Sequence, residues 1–344
     1  MPITWGVIGC GNFARRRILP AFLKSKDSHL KVIQRRDLEQ AQATAREAGV
    51  PEAVATRSAV LSDRDVQAVF IATPHANHCE DVLAAAIAGK HILCEKPLGL
   101  NAAECRKMLD ACAQHGVKLF VGQCFRYKPQ VRALRASVQD GLLGKLQSLR
   151  GVYTFLAPAA SWRSDSRLSG GGPLMDLGPH LIDALRFISG DEIDEVSAFV
   201  EPSVDLATGR SERRARGLLS FAGGAWGVLE TSFAEPYRGI LEAVGAKGSM
   251  RADYPLGQVE PPTARLERFT SDPTPPKIEG LDFPSTDIYL AEIDDVSRAL
   301  IEPAFEPLCA TGADGLKALA VIDALYHAGK TGRREKVRVP QSGE

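Results

Sequence analysis

The turn Gly9-Cys10-Gly11-Asn12-Phe13-Ala14 constrains the fold of this chain more than any other stretch. It follows a short apolar run, Thr4 to Ile8, and opens a segment, Asn12 to Leu23, that reads as a helix. Glycine at the first position permits a tight turn. Glycine at the third lets the backbone approach a pyrophosphate, and a small sixth residue lets helix and strand pack closely. The N–H groups exposed at such a helix start favour an anion. The turn therefore predicts a bound dinucleotide held at Gly9, Gly11, Asn12, Phe13 and Ala14.

The flanking sequence keeps the same rhythm. His29 to Ile33 reads as a strand. Asp37, with Gln40 three residues on, begins a helix to Ala48 that Gly49 stops. Val66 to Ala72, His91 to Cys94 and Val117 to Val121 read as strands; Glu80 to Ala88 and Ala102 to His115 read as helices, each followed by glycine. Such alternation means βαβ units and a parallel sheet with helices on both faces. Past residue 125 the rhythm changes. Pro129 to Asp140 suits a linking helix, Gln147 to Leu156 a long strand, Pro158 to Gly172 a loop, and Leu177 to Ile188 a helix. Glu195 to Val200, Arg214 to Phe221, Ala225 to Phe233 and Gly239 to Gly245 follow as strands in series, which argues for antiparallel pairing. Ser271 to Ser285 is proline-rich and reads as irregular, and Ile288 to Ile301 and Gly312 to Ala328 are closing helices. The expectation is an α/β chain: a dinucleotide-binding domain over 1–125, then an α+β domain over 126–344 on an open sheet. The closing helices can pack back on the first domain.

The end of the second strand reports on the dinucleotide. An NAD site usually places Asp or Glu there for the ribose 2′-OH. Here the segment is Gln34-Arg35-Arg36-Asp37. Two guanidinium groups suit a 2′-phosphate, so the reading is NADP. The alternative is NAD, with Asp37 on the ribose and both arginines solvated; Asp37 also suits a helix cap.

Composition excludes other classes. Lys+Arg and Asp+Glu both number 42, so the net charge is zero. That is a poor basis for nucleic-acid or anionic-membrane binding. No apolar run approaches the ~20 residues of a spanning helix, and no signal peptide is visible. The seven cysteines lack CxxC spacing, which points to reduced thiols in a cytoplasmic protein. His75 and His78 are spaced like metal ligands, but only Cys79 and Glu80 stand by to complete a set, so no metal is expected.

Two further motifs carry a resemblance. One is Ala72-Thr73-Pro74, then His78, then Gly89-Lys-His-Ile-Leu-Cys-Glu95-Lys96-Pro97. The other is Gly170-Gly-Gly-Pro-Leu-Met-Asp176-Leu-Gly-Pro-His180-Leu-Ile-Asp183. With the glycine-rich turn, these resemble the glucose–fructose oxidoreductase, inositol dehydrogenase and rhizopine-catabolism (Gfo/Idh/MocA) family, densely to about residue 190. The resemblance implies a Rossmann domain and a C-terminal domain on a large, mostly antiparallel sheet. It implies hydride exchange between nicotinamide and a sugar or polyol carbon, and homodimers or homotetramers packed through the open sheet. It places Thr73, Pro74, His78, Glu95 and Lys96 at the cofactor, Lys96 also at the substrate, and Asp176 and His180 as partners of that lysine. Ser161-Trp162-Arg163 looks most like the family's NADP-dependent aldose dehydrogenases and keto-sugar reductases.

The residue types suit that chemistry. Interconverting an alcohol and a ketone needs a proton acceptor or donor, and histidine serves in either direction. If Leu177 to Ile188 is helical, Asp176 and Asp183 can approach one face with His180. An ammonium at the C-terminal end of a parallel strand can hold a substrate oxygen and stabilise an alkoxide, which suits Lys96. Lys96 is read as holding the oxygen and His180 as acid or base; the reverse division fits the same residues. Pro97 hints at an unusual backbone, such as a cis bond. Arg126 and Pro129 are read as structural first and substrate-facing second. Trp162 and Arg163 offer an aromatic face and a forked donor to a polyhydroxylated ligand. Gln34-Arg35, Pro173 and Pro179 depart from the usual pattern, the prolines by stiffening the Asp-x-x-x-His segment. A dinucleotide or sugar sensor, an NAD-assisted glycosidase and a dihydrodiol dehydrogenase are the competing functions.

Overall fold

The computed structural model describes residues 1–157, 162–202, 204–205, 207–253, 263–268 and 277–343. The chain forms two compact units. The first comprises Met1–Cys124, Asp287–Leu316 and Pro340–Glu344; the second comprises Phe125–Thr286 and Lys317–Val339.

The first unit is built on a seven-stranded sheet. Its parallel strands are β1 (Ile3–Ile8), β2 (Ser28–Gln34), β3 (Glu52–Val54), β4 (Ala68–Ile71), β5 (His91–Glu95) and β6 (Leu119–Gly122). They lie in the order β3-β2-β1-β4-β5-β6, and the two-residue strand Ala310–Thr311 pairs antiparallel with β6. The order reverses between β1 and β4, the switch point where doubly wound sheets bind ligands. All four β4 residues are buried, as in a parallel strand covered on both faces. Trp5 fills the centre: its ring lies 5.4 Å from Phe22, and its indole N–H donates to Ser297 Oγ at 3.1 Å.

Local sequence explains most boundaries. The helix Leu38–Ala48 is capped by Asp37, which accepts from the Gln40 N–H, and ends on left-handed Gly49. The helix Ala102–Gln114 is capped by Asn101. The helix read from Asn12 to Leu23 runs to Lys24, with a π-helical stretch, Ala14–Ile18, before the α-helix Leu19–Lys24. One expectation needs correction. The helix expected from Glu80 starts at His75, because Pro74 suits a helix start.

The second unit carries a nine-stranded sheet. Its strands are β7 (Leu146–Thr154), β8 (Ile193–Glu201), β9 (Arg214–Phe221), β10 (Trp226–Ser232), β11 (Arg238–Gly245), β12 (Gly248–Asp253), β13 (Thr263–Arg268) and β14 (Lys277–Asp282). They lie in the order β14-β13-β12-β11-β7-β10-β9-β8, with Glu335–Lys336 beyond β8. β7 and β10 pair parallel, and every other neighbour is antiparallel. The helices Pro129–Gln139 and Gly178–Ser189 pack together; Leu181 and Leu185 of the second lie against Gly151 of β7. The other sheet face leaves Phe199, Leu218 and Trp226 exposed.

The segment read as a loop over 158–172 contains two helical turns, Trp162–Ser164 and Ser166–Ser169, with Asp165 capping the second; residues 158–161, Ser161 included, lie outside the described residues. Of the stretch read as irregular, 271–276 lies outside the described residues and Lys277–Asp282 is a strand. Among the described residues, no helix is long and apolar enough to cross a membrane.

Candidate active site

The first unit places its candidates at the C-terminal ends of β1, β2, β4 and β5. Gly9 has φ +81°, and a Cβ there would lie 2.6 Å from the Thr73 backbone nitrogen. Its glycine is required by the close approach of the loops after β1 and β4. Gly11 differs. A Cβ there would meet only the Gly9 carbonyl oxygen, at 3.9 Å, so its α-carbon faces open space. A side chain would fill that cradle, and a phosphate fits it beside the helix start. The Gly9 N–H donates to Gln34 Oε1 at 3.0 Å, and Gln34 Nε2 donates to the Ala55 carbonyl at 2.8 Å. Gln34, a departure in the motif, thus braces the turn. Burial raises the Cys10 thiol to about 11, which keeps it protonated.

At the end of β2, Asp37 Oδ1 accepts from the Gln40 backbone at 3.0 Å, and Oδ2 accepts from Gln40 Nε2 at 2.6 Å. Gln40 Oε1 accepts from the Arg35 guanidinium. Arg36 is exposed. Thr73 donates its hydroxyl to Asp81 Oδ2 at 2.7 Å, and Arg57 holds Oδ1 at 2.6 Å. His78 is fully buried. Its Nδ1 lies 2.8 Å from the Pro97 carbonyl and its Nε2 lies 2.8 Å from the Thr73 carbonyl. Both ring nitrogens thus face protein, and the ring ties the end of β4 to the turn that holds Lys96. Burial is the largest influence on this imidazole and lowers its proton affinity. The Lys96–Pro97 peptide is cis. Glu95 Oε2 accepts from the Lys96 N–H at 3.2 Å, and Gly122, opposite Glu95 on β6, leaves room for the carboxylate.

Tyr289 belongs to none of the motifs. Its ring meets Phe13 edge-on at 5.7 Å, from the closing helix Ile288–Ile301. Burial raises its hydroxyl far above the usual tyrosine value, with Cys124 and Glu95 adding to the rise.

The second unit carries the remaining candidates. Asp176 and His180 do not share a helix. Asp176 closes the short helix Pro173–Asp176, and His180 lies in the first turn of Gly178–Ser189, with Leu177 between. Pro179 lacks the N–H that a continuous helix would use there. Asp183 pairs with Arg126: its two oxygens accept from Arg126 Nε at 2.9 Å and Nη2 at 2.7 Å. Arg126 also lies 5.2 Å over the Phe187 ring. That paired, buried guanidinium fits the structural role read for it. The His180 ring stacks on Phe125 at 4.1 Å and is 9% exposed. Arg163 Nε lies 3.2 Å from Asp176 Oδ2, and its guanidinium stands 4.7 Å over the Trp162 ring. Trp162, Arg163 and Asp176 therefore form one cluster. Glu212, unmarked in the sequence, holds the backbone just before Asp176: its oxygens accept from the Gly172 N–H at 2.7 Å and the Leu174 N–H at 2.8 Å.

Residues 3–123 match a family model described as an oxidoreductase family with an NAD-binding Rossmann fold. Residues 131–251 match the GFO/IDH/MocA C-terminal domain. A D-xylose 1-dehydrogenase (NADP+) of Haloferax volcanii is 29% identical over 96% of this chain and 98% of its own. A 1,5-anhydro-D-fructose reductase of Ensifer adhaerens is 28% identical over 97% of this chain and 98% of its own. Among solved structures, an aldose–aldose oxidoreductase from Caulobacter crescentus superposes with a TM-score of 0.85 at 28% identity, covering 98% of this chain and 100% of that one.

Proposed function

The chain belongs to the Gfo/Idh/MocA family of NAD(P)-dependent oxidoreductases, and from that premise we propose an NADP-preferring sugar or polyol oxidoreductase, of aldose dehydrogenase or keto-sugar reductase type. The observation that carries the cofactor preference is the use of Asp37. Both its oxygens are engaged by Gln40, so the carboxylate that would take a ribose 2′-OH serves as a helix cap. Arg35 and Arg36 stand at that strand end, and Gln40 holds the Arg35 guanidinium. Paired guanidinium groups suit a dianionic 2′-phosphate. The open face of Gly11 supports phosphate binding at the turn. The two curated relatives above, a dehydrogenase of xylose and a reductase of anhydrofructose, support a sugar substrate.

When bound, the nicotinamide supplies the hydride acceptor or donor. The protein handles the oxygen and the proton. Lys96 holds the reacting oxygen, and its ammonium offsets charge that develops there. His180 takes or returns the hydroxyl proton, its ring plane set by Phe125. Asp176, Arg163 and Trp162 bind the remaining hydroxyls, and His78 and Glu95 fix the turn around Lys96. The exposed apolar residues on the open sheet face support a homo-oligomer packed through that face.

A turnover panel tests the reading, with nicotinamide absorbance followed in both directions. NADP+ and NAD+ are offered with aldoses and polyols; NADPH and NADH are offered with keto-sugars and lactones. Turnover that favours NADP, and that falls ~100-fold or more in Lys96→Met and in His180→Ala with cofactor affinity kept, supports it. Cofactor binding without turnover on any substrate would favour a sensor or a redox-assisted glycosidase.

A further inference from the structure

We propose that Glu212 is a positioning residue for the substrate side of the site; the proposal rests on reading Asp176 as substrate-facing. Glu212 is fully buried. Its Oε2 accepts from the Gly172 N–H at 2.7 Å. Its Oε1 accepts from the Leu174 N–H at 2.8 Å and from the Tyr326 hydroxyl at 3.1 Å. The two backbone donors flank Pro173, which has none, and Gly172 offers no side-chain cap to the helix Pro173–Asp176. A carboxylate from a distant loop therefore does what an N-cap residue does elsewhere.

The glycine run exists for this contact. A Cβ on Gly172 would lie 2.0 Å from the Glu212 carbonyl oxygen, and one on Gly171 would lie 2.1 Å from the Tyr326 hydroxyl. The helix so held ends in Asp176, which meets Arg163 at 3.2 Å. The same loop also supports the strand of chain that bears Arg163. The Ser166 N–H donates to the Gly209 carbonyl at 3.0 Å, Ser166 Oγ donates to the Asp205 carbonyl at 3.0 Å, and Asp165 and Arg210 face each other in a backbone β-bridge. Glu212 thus holds the helix that ends in Asp176, while Asp205, Gly209 and Arg210 hold the chain just after Arg163.

The test is a double-mutant cycle on the full-length chain with Glu212→Gln and Asp176→Asn. Gln keeps the size but turns an N–H₂ toward one of the two backbone donors. Glu212→Gln alone should lower kcat by about 10- to 100-fold, because a small displacement at a site costs that much, with cofactor affinity within about twofold by fluorescence titration. In the Asp176→Asn background the same change should cost less than about threefold. Multiplicative losses, or an unchanged kcat, overturn the proposal. If Glu212→Gln fails to fold, Tyr326→Phe withdraws one donor and leaves both backbone bonds. Its smaller loss must likewise vanish in Asp176→Asn, and a loss that persists there overturns the proposal. If the wild type turns over no substrate, the functional reading fails separately, and hydrogen exchange still reads the contact. Faster exchange confined to residues 170–177 in Glu212→Gln supports it; unchanged or uniformly faster exchange overturns it.

Discussion

Gly9 and Gly11 do different work at the same turn, and substitution separates them. Gly9→Ala places a Cβ against Thr73 in a left-handed backbone, so it should destabilise the fold by roughly 1–3 kcal/mol in chemical denaturation. Gly11→Ala meets almost nothing in the protein. It should leave stability within ~0.5 kcal/mol and weaken dinucleotide binding by about tenfold or more in titration. Equal effects in the two variants would contradict the open cradle. Arg36→Ala should weaken NADP binding by ~1.5–3 kcal/mol for each charged hydrogen bond lost and leave NAD binding nearly unchanged. Parallel weakening of both cofactors would remove the 2′-phosphate argument.

Glu192 shows how elements of the second unit are tied together by charge. It accepts from Arg186 Nε of Gly178–Ser189 at 2.7 Å and from Lys317 of Gly312–Thr331 at 2.8 Å. The Arg186 hydrogen bond is the largest influence, and the carboxyl is held down from 4.5 to about 2. A lowered acid stabilises the fold above its unfolded value and loses that contribution as pH falls from about 4.5 through about 2. The side chain is half-exposed, so screening limits the contribution to about 1 kcal/mol. Glu192→Gln should therefore flatten the fall in melting temperature across that acid range; a fall parallel to the wild type would exclude the group. Much at this scale was legible in sequence. Asp37 with Gln40 marked one helix start, and the bounds of Ile288–Ile301 follow from its apolar spacing. The gaps have physical causes. Glu52–Val54 and Ala310–Thr311 are too short to show a period and exist through pairing with distant strands. Asp176 and His180 were legible as a motif, and Pro179 follows the break between their helices, but the cap that Glu212 supplies to the first helix comes from a distant loop. Glu212 sits in Ser211-Glu212-Arg213-Arg214, which reads as solvated charge until the fold buries it.

The open sheet face bears on the state of the whole molecule. Phe199 is 80% exposed, Trp226 55% and Leu218 53%, on adjacent strands β8, β10 and β9. Contiguous apolar exposure of this kind marks association surfaces. The double change Phe199→Glu and Leu218→Glu should convert the native assembly to monomer in light scattering, with helix and strand content kept by circular dichroism. A wild type already monomeric at micromolar concentration would remove the homo-oligomer proposal. The path of the chain has a further consequence, for biosynthesis. Residues 287–316 complete the first unit: Ser297 takes the indole N–H of Trp5, and Ala310–Thr311 extends the sheet beside β6. A ribosome that has translated only the first 200 codons has released every parallel strand of that unit and none of these partners. The nascent dinucleotide fold therefore keeps its edge at β6 uncovered until the chain has been made past β14 of the second unit's sheet.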